Sequence, residues 1–192
     1  ASTLKELRDK GYDAVLVAIG LQKSRILKVE GSSAGDVLGG LDLLRDVRLA
    51  KAVIIKNHML VVGGGNVAID VALTALRLGA KQVQVVCLER PEEMPAFPWE
   101  IEQAVEEGVH IHNSWGVKRI LVGDSGEVKG MELKRCVSVF DQDGRFNPAY
   151  DESSTKTIDA DMIVFAIGQA PDLKGLEGAD APTLTGTGTV AV

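Results

Sequence analysis

The chain has 192 residues, of which 45% are hydrophobic and 25% charged, and its formal net charge is −6. This composition is typical of a soluble globular protein that buries a core of its own. The excess of acidic residues argues against a nucleic-acid partner, and no apolar run approaches the roughly 18 residues of a membrane span. The only cysteines, Cys87 and Cys136, form no Cys-x-x-Cys pair, so we expect a cytoplasmic protein without a redox dithiol.

The N-terminal part predicts a short helix and a strand. Thr3 and Glu6 have the spacing of a capping box and predict a helix over residues 4–10. Residues 14–20 (Ala-Val-Leu-Val-Ala-Ile-Gly) predict a fully buried strand that ends on a glycine.

Residues 21–57 predict a connector. Its glycines mark loops around a modest helix over residues 40–49. Three β-branched and aliphatic residues between lysines, within residues 51–56, predict a short edge strand protected by charge.

Residues 58–89 read as strand, glycine turn, helix and strand. Residues 59–62 are an apolar run that ends on three glycines, which favours a buried parallel strand. A helix over residues 67–78 ends at Gly79, and a second strand over residues 83–87 follows. This order is typical of a dinucleotide-binding βαβ unit.

Each residue type in this unit has a physical role. Gly63 permits the tight turn, and Gly65 lets the backbone approach a pyrophosphate, which the first amides of the helix would bind. Ala68 allows the helix to pack close to the strand, and Glu89 follows about 20 residues later, where the motif places a carboxylate on the ribose. The plainer alternatives are a bare turn between buried elements and a solvated acid at a strand end. Asp70 lies in an otherwise apolar helix, so we expect it to be buried with a structural partner.

After Glu89, three prolines predict a loop over residues 90–99. An amphipathic pattern then predicts a helix over residues 99–107, and strict alternation predicts a strand over residues 109–112. The strand places His110 and His112 on one face. We predict no metal site there, because no third ligand is near in sequence.

Residues 117–160 predict an antiparallel β-meander. Strands over residues 118–122 and 128–133 flank a glycine-containing turn, and residues 136–140 continue the second strand. Residues 141–155 are polar and predict a surface excursion. We interpret Cys136 as a small strand residue and not as a redox centre.

Residues 161–168 repeat the pattern of residues 13–20, and both segments end in Ala-Ile-Gly. Glycine at the end of a buried strand allows close approach by a ligand or another backbone. Either two hydrophobic strands coincide, or the chain spans the end of one nucleotide-binding domain and nearly all of a second.

Three ordered motifs, residues 63–70, 92–96 and 166–171, resemble the pyridine-nucleotide domain of the glutamate synthase small subunit and related flavoproteins of the two-dinucleotide-binding-domain class. The resemblance implies an FAD domain split around the nicotinamide domain, and hence a chain that is a fragment, with further FAD-binding sequence outside it. It implies four parts: residues 1–20 as the tail end of the FAD domain, 21–57 as connector, 58–170 as NAD(P)-binding domain with a meander at about 117–160, and 171–192 as the start of the return to the FAD domain. The glycines at 186 and 188 lack the helix pattern of an FAD fingerprint.

The predicted fold class is therefore α/β, a Rossmann-like three-layer nucleotide-binding domain with a parallel sheet and an antiparallel β-meander insertion. The resemblance implies that the domain passes hydride between a nicotinamide dinucleotide and FAD, and an iron–sulfur electron-transfer protein is a candidate partner. Hydride transfer to flavin requires no acid or base, so we assign no catalytic residue and no metal ligand. The predicted cofactor-binding residues are Gly63, Gly64, Gly65, Asn66, Val67, Glu89, Arg90, Ala166, Ile167 and Gly168.

The identity of residue 89 bears on the choice of dinucleotide. In the family that this chain resembles, NADPH-dependent members carry an aromatic residue followed by two arginines just after the second strand. This chain has Leu88, Glu89 and Arg90 there. A carboxylate accepts a hydrogen bond from a free 2′-hydroxyl and repels a 2′-phosphate. We therefore predict NAD(H) as the favoured cofactor, with NADP(H) as the alternative because of Arg90.

Three other functions share some of these sequence features. An isolated nucleotide-binding module without turnover of its own has the same motifs. A short-chain dehydrogenase requires Tyr-x-x-x-Lys, but Leu16 and Ser154 stand four residues after Tyr12 and Tyr150. A methyltransferase shares the glycine turn and the acid, but the small residue at Ala68 favours a dinucleotide.

Overall fold

The structure is a computed structural model, and it describes residues 3–174, Leu176 and residues 181–185. The chain divides into two compact units, one of which is Ser24–Gly168. The described residues up to Lys23, and those from Gln169 onwards, belong to the other. Much of the predicted return segment 171–192, including the glycines at 186 and 188, lies outside the described residues.

The first unit contains α1 (Leu4–Asp9) and the predicted capping box. The amide of Glu6 donates to Oγ1 of Thr3 at 3.2 Å, and the amide of Thr3 donates to Oε2 of Glu6 at 3.1 Å. The strand predicted over residues 14–20 is wrong, since these residues are irregular and largely exposed. An apolar run forms a strand only beside a partner, and no described strand pairs with this one. The two-residue strands β1 (Lys23–Ser24) and β10 (Gln169–Ala170) form a small sheet.

The second unit is built on a five-stranded sheet whose neighbours are all parallel, in the order β2-β9-β3-β4-β5. The strands predicted over residues 59–62, 83–87 and 109–112 are confirmed within one residue, and the strand predicted over residues 161–168 is confirmed but ends three residues earlier, at Phe165. The edge strand predicted over residues 51–56 is wrong, because a three-residue strand outside that segment pairs with β9 at this edge. The strands are β2 (Val37–Gly39), β3 (His58–Val62), β4 (Gln82–Val86), β5 (His110–His112) and β9 (Met162–Phe165).

Three helices cover one face of this sheet. Ala68 is fully buried in the core between helices and sheet, which confirms its close packing. Asp70 is exposed, so the prediction that it needs a buried partner is wrong. The apolar residues of its helix lie on the sheet side, and position 70 falls on the solvent side. The helices are α2 (Gly40–Arg48), α3 (Asn66–Arg77) and α4 (Pro98–Glu106), and a 3₁₀ turn (Pro91–Glu93) precedes α4.

The predicted β-meander covers the other face, which completes the three-layer α/β fold. Its strands are antiparallel, and Met131 and Leu133 pack against Leu60 and Phe165 of the parallel sheet. The surface excursion predicted over residues 141–155 is wrong, because most of it is a strand paired along the second strand of the meander. The strands are β6 (Trp115–Val122), β7 (Val128–Phe140) and β8 (Phe146–Asp159). No helix in the described part of the chain is both long and apolar enough to span a membrane.

Candidate functional site

The carboxyl ends of β3, β4 and β9 meet at one edge of the parallel sheet. The amide of Gly63 donates to the carbonyl of Val86 at 2.9 Å, and the amide of Ala166 donates to the carbonyl of Val62 at 2.8 Å. Open parallel sheets bind ligands at this edge. The two motifs that the sequence places about a hundred residues apart are therefore neighbours here.

The glycine turn after β3 is closely packed. Gly63 has φ of 141°, and a Cβ at this position would clash with the carbonyl oxygen of Ala166. A Cβ at Gly64 would lie 2.6 Å from Oε2 of Glu89 and 3.2 Å from Cβ of Cys87. At Gly65 the nearest atom to such a Cβ is Cγ of Pro95, at 4.0 Å. Gly63 is thus required by the backbone of Ala166, a Cβ at Gly64 would displace the carboxylate of Glu89, and Gly65 leaves space that a ligand can use.

Helix α3 begins immediately after this turn, with Gly65 as its N-cap and no side-chain cap. Among the described residues, the amides of Asn66 and Val67 find no acceptor. The first turn of a helix exposes such donors together with the positive end of the helix dipole. This end of α3 is consequently suited to a phosphate or diphosphate group.

The loop after the 3₁₀ turn is fastened to the glycine turn. The amide of Ala96 donates to the carbonyl of Gly64 at 3.2 Å, and the amide of Phe97 donates to Oδ1 of Asn66 at 3.2 Å. The side chain of Asn66 therefore fastens the loop to the start of α3. The motif at residues 92–96 thereby places Pro95 beside Gly65, on the wall of the site.

A cleft of about 810 Å³ opens at this edge of the sheet. It brings together seven predicted residues: Gly63, Gly64, Gly65, Glu89, Ala166, Ile167 and Gly168. Asn66, Val67 and Arg90 do not line it. The sequence-based prediction missed Arg25, Ile26, Leu27, Val62, Leu88, Pro95, Trp115, Gly116, Val117, Phe146, Pro148 and Tyr150, which complete the lining.

A smaller cavity of about 140 Å³, here called the side cavity, lies next to the cleft along the chain. Leu88 lines both, and Arg90 lines the side cavity. The remaining lining residues are Glu93, Ser114, Cys136, Val137, Ser138, Val139 and Phe140.

Both cysteines are buried, unpaired and chemically quiet. Burial, followed by the negative charge of Glu89, raises the pKa of the Cys87 thiol to about 12. Burial also raises the pKa of Cys136. A thiol that stays protonated is a poor nucleophile. The chain therefore supplies no dithiol chemistry through Cys87 and Cys136.

His112, one of the two histidines of β5, is held between two side chains. Nε2 of His112 lies 2.8 Å from Oε1 of Gln84, and Nδ1 lies 3.0 Å from Nζ of Lys156. The lysine can only donate, so Nδ1 accepts and Nε2 carries the proton. Burial, then the charges of Lys156 and His110, lowers the pKa of His112. This imidazole is a neutral link between β4, β5 and β8.

The model of the pyridine nucleotide-disulphide oxidoreductases matches residues 2–192. The beta subunit of the NADPH-Fe(3+) oxidoreductase of Geobacter sulfurreducens is 37% identical over 89% of this chain and 26% of its own length. The glutamate synthase [NADPH] small chain of Azospirillum brasilense is 34% identical over 89% of this chain and 38% of its own length. The chain thus spans between a quarter and two fifths of these relatives. FprA of Mycobacterium tuberculosis in complex with NADPH shares the fold, with a TM-score of 0.68 and 16% identity over 87% of this chain and 52% of FprA.

Proposed function

Because the chain belongs to the pyridine nucleotide-disulphide oxidoreductase family, we propose that its cleft binds a nicotinamide dinucleotide and presents it for hydride exchange with FAD. Membership of the family confirms the resemblance predicted from the three motifs. The activity of the whole protein is part of the proposal, since the chain spans only part of its relatives.

One observation carries the proposal: the glycine turn, Glu89 and the end of β9 line a single cleft, and α3, whose first amides have no acceptor among the described residues, begins directly after that turn. The space above Gly65 fits a pyrophosphate, which the amides of Gly65, Asn66 and Val67 would hold. A ribose would lie beside Glu89. Ala166, Ile167 and Gly168 would form the nicotinamide side of the cleft.

The protein residues bind and orient the reactants. The flavin would supply the hydride acceptor, and neither thiol nor histidine is required to move a proton. We propose that FAD is held mainly by sequence outside this chain, with residues 1–20 and 171–192 as parts of a split FAD domain around the nicotinamide domain at 58–170. Residues 24–57, in the predicted connector, lie in the same compact unit as the cleft.

The choice between the two dinucleotides is part of the proposal. Both relatives described above are named as NADPH enzymes, so they do not support the NAD(H) preference predicted from Glu89. We propose that the domain accepts NADP(H), with the exposed Arg90 next to the 2′-phosphate. Glu89 leaves NAD(H) as the rival, because its carboxylate lines the cleft.

Titration calorimetry of the full chain with NADPH and NADH tests this proposal. We expect the chain to bind NADPH more tightly than NADH. Arg90→Ala should weaken the affinity for NADPH by about tenfold and leave the affinity for NADH unchanged. Glu89→Gln, which removes a negative charge, should strengthen NADPH. A stronger affinity for NADH in the unaltered chain would instead support NAD(H) as the favoured cofactor.

A second candidate is a nucleotide-binding module without turnover. Protein that binds NADPH but shows neither flavin absorbance nor NADPH oxidation would favour it. A cytoplasmic location and an iron–sulfur electron-transfer partner remain proposals; the two unpaired cysteines support the former.

A further inference from the structure

Helix α4 presents a face that no described element covers. Trp99, Glu102, Gln103 and Glu106 follow one another at the three- and four-residue spacing of a single helix face, and all four are exposed. Phe97, just before the helix, is also exposed and belongs to the same surface. These five residues are here called the acidic aromatic face. None of them lines the cleft or the side cavity, so the proposed function gives this face no role.

Two aromatic rings dominate the face. The rings of Phe97 and Trp99 are stacked, with their centroids 4.4 Å apart and an angle of 8° between their planes. Phe97 is 48% exposed and Trp99 is 61% exposed, so the two rings pack against each other and not into the core. Large apolar side chains that cluster in contact with water mark interaction sites, and aromatic residues are enriched at the centre of protein–protein interfaces.

The aromatic pair is held in position before any partner arrives. The amide of Phe97 donates to Oδ1 of Asn66 at 3.2 Å, and the neighbouring amide of Ala96 donates to the carbonyl of Gly64 at 3.2 Å. Pro98 then fixes the backbone at the start of α4. A surface that is already ordered loses little conformational entropy on binding, and this favours association.

The charge around the pair is negative. Residues 91–117 contain six glutamates and no lysine or arginine. Of these glutamates, only Glu107 forms an ion pair within the described part of the chain, with Arg77 at 2.6 Å. In the first turn of α4, Oε2 of Glu100 is buried and has no hydrogen-bond partner among the described residues. The segment thus carries negative charge that the described residues do not compensate, and positive charge from outside would stabilise it.

Aromatic rings and uncompensated carboxylates together select a cationic protein surface. Guanidinium groups stack on aromatic rings and pair with carboxylates, so arginine suits both parts of this face. An anionic membrane, a nucleic acid or an acidic protein would meet like charge. Two copies of the chain joined through the same face would bring Glu102 and Glu106 against their own equivalents, which is unfavourable for the same reason.

We propose that the acidic aromatic face is a docking site for a partner protein whose arginine side chains surround an apolar centre. One arginine of the partner stacks on Trp99, and others pair with Glu102 and Glu106. Because the face contributes nothing to the lining of the cleft, docking leaves the cleft open to the dinucleotide.

Two synthetic peptides test the docking site. One alternates arginine with leucine, and the other carries glutamate in place of each arginine. Calorimetry of the full chain at low ionic strength should show binding of the arginine peptide, no binding of the glutamate peptide, and a loss of affinity as salt is added. Trp99→Ala should weaken the affinity for the arginine peptide by about tenfold. Ile54→Ala, at a residue that is 75% exposed and outside the face, is the matched control and should leave the affinity unchanged.

A charge-matched comparison separates the face from the net charge of the chain. The double variant Glu102→Gln with Glu106→Gln removes two negative charges from the face, and Asp13→Asn with Asp124→Asn removes two from exposed positions elsewhere. We expect the first to weaken the affinity for the arginine peptide by about tenfold and the second by less than about twofold. The circular dichroism of Trp99→Ala should match that of the unaltered chain, because the indole is exposed.

The docking site would be wrong if the arginine peptide does not bind, or if the glutamate peptide binds equally well. An undiminished affinity in Trp99→Ala, or equal losses in the two double variants, would also overturn it. Sedimentation velocity provides one more outcome. Self-association of the unaltered chain that disappears in Trp99→Ala would assign the face to a second copy of the chain and overturn the proposal of an arginine-rich partner.

Discussion

Individual glycines of the turn after β3 serve different purposes. Gly63 is fixed by the chain itself, because its left-handed φ and the carbonyl of Ala166 leave no place for a side chain. Gly65 has an ordinary φ and nothing closer than Pro95 to a new Cβ. One glycine therefore serves folding and the other serves the ligand.

Two alanine substitutions separate these purposes. Gly63→Ala should lower the free energy of unfolding by about 1–3 kcal/mol, since it strains the backbone and displaces Ala166. Gly65→Ala should leave stability nearly unchanged and weaken the dinucleotide by about tenfold, because a methyl group would hold off the pyrophosphate. Urea denaturation and calorimetry of both variants check this, and equal loss of stability would contradict it.

The glycine turn was predictable because its signal is local. Strand, glycines and helix follow one another within residues 58–78, and each residue type has one steric reason. The placement of Trp115, Phe146 and Tyr150 in the cleft was not predictable, because it depends on the register between distant strands. Arg25 likewise reaches the site from a segment with no periodic pattern.

At the scale of elements, β8 is a strand that the sequence pattern does not predict. Strand β8 pairs along β7, yet Ile158 is the one buried residue in its length. Without a buried face it shows no hydrophobic alternation, and its turn-forming residues indicate a loop. Its pairing with β7 therefore leaves little trace in the pattern of its side chains.

A single imidazole links the two sheets and should make stability depend on pH. Lys156 of β8 faces Nδ1 of His112, whose folded pKa is lowered below the ordinary 6.5. The unfolded chain therefore takes up a proton first as the pH falls. The stabilising contribution is complete above about pH 6.5 and is lost as the pH falls through the lowered folded pKa.

The variant His112→Gln keeps an acceptor for Lys156 and does not titrate. We expect the urea midpoint of the unaltered chain to fall more between pH 7.5 and 5.5 than that of His112→Gln. His110→Gln, an exposed change in the same strand, removes only the smallest of the three causes and should leave most of the pH dependence in place. Identical pH profiles for the unaltered chain and His112→Gln would contradict the assignment.

At the scale of the whole molecule, the residues that line the cleft and those that line the side cavity all belong to the unit Ser24–Gly168. A chain trimmed to residues 24–168 should therefore bind NADPH within about threefold of the full chain, since it keeps every contact of the site. Calorimetry of the two chains provides the measurement. A trimmed chain that folds, as shown by its circular dichroism, but does not bind would show that the other residues contribute to the site.

The arrangement of the whole sheet explains why the strand predicted over residues 14–20 does not form. Their apolar run and final glycine resemble the true strand at 162–165, and local pattern alone cannot tell the two apart. The two segments differ in their neighbouring strands. Met162–Phe165 pairs with β2 on one side and β3 on the other, whereas the earlier run pairs with no described strand. The sheet, and not the segment, decides which run becomes a strand.

The contact between the turn and Ala166 limits how the cofactor preference of this domain could be changed by laboratory evolution. Position 63 is closed to every larger residue by the carbonyl of Ala166, so most variants at this position in a library would be destabilised. The informative positions line the cleft or the side cavity without such a backbone contact: Gly65, Leu88, Glu89 and Arg90. A library restricted to these four would vary recognition of the dinucleotide while leaving the framework of the sheet unaltered.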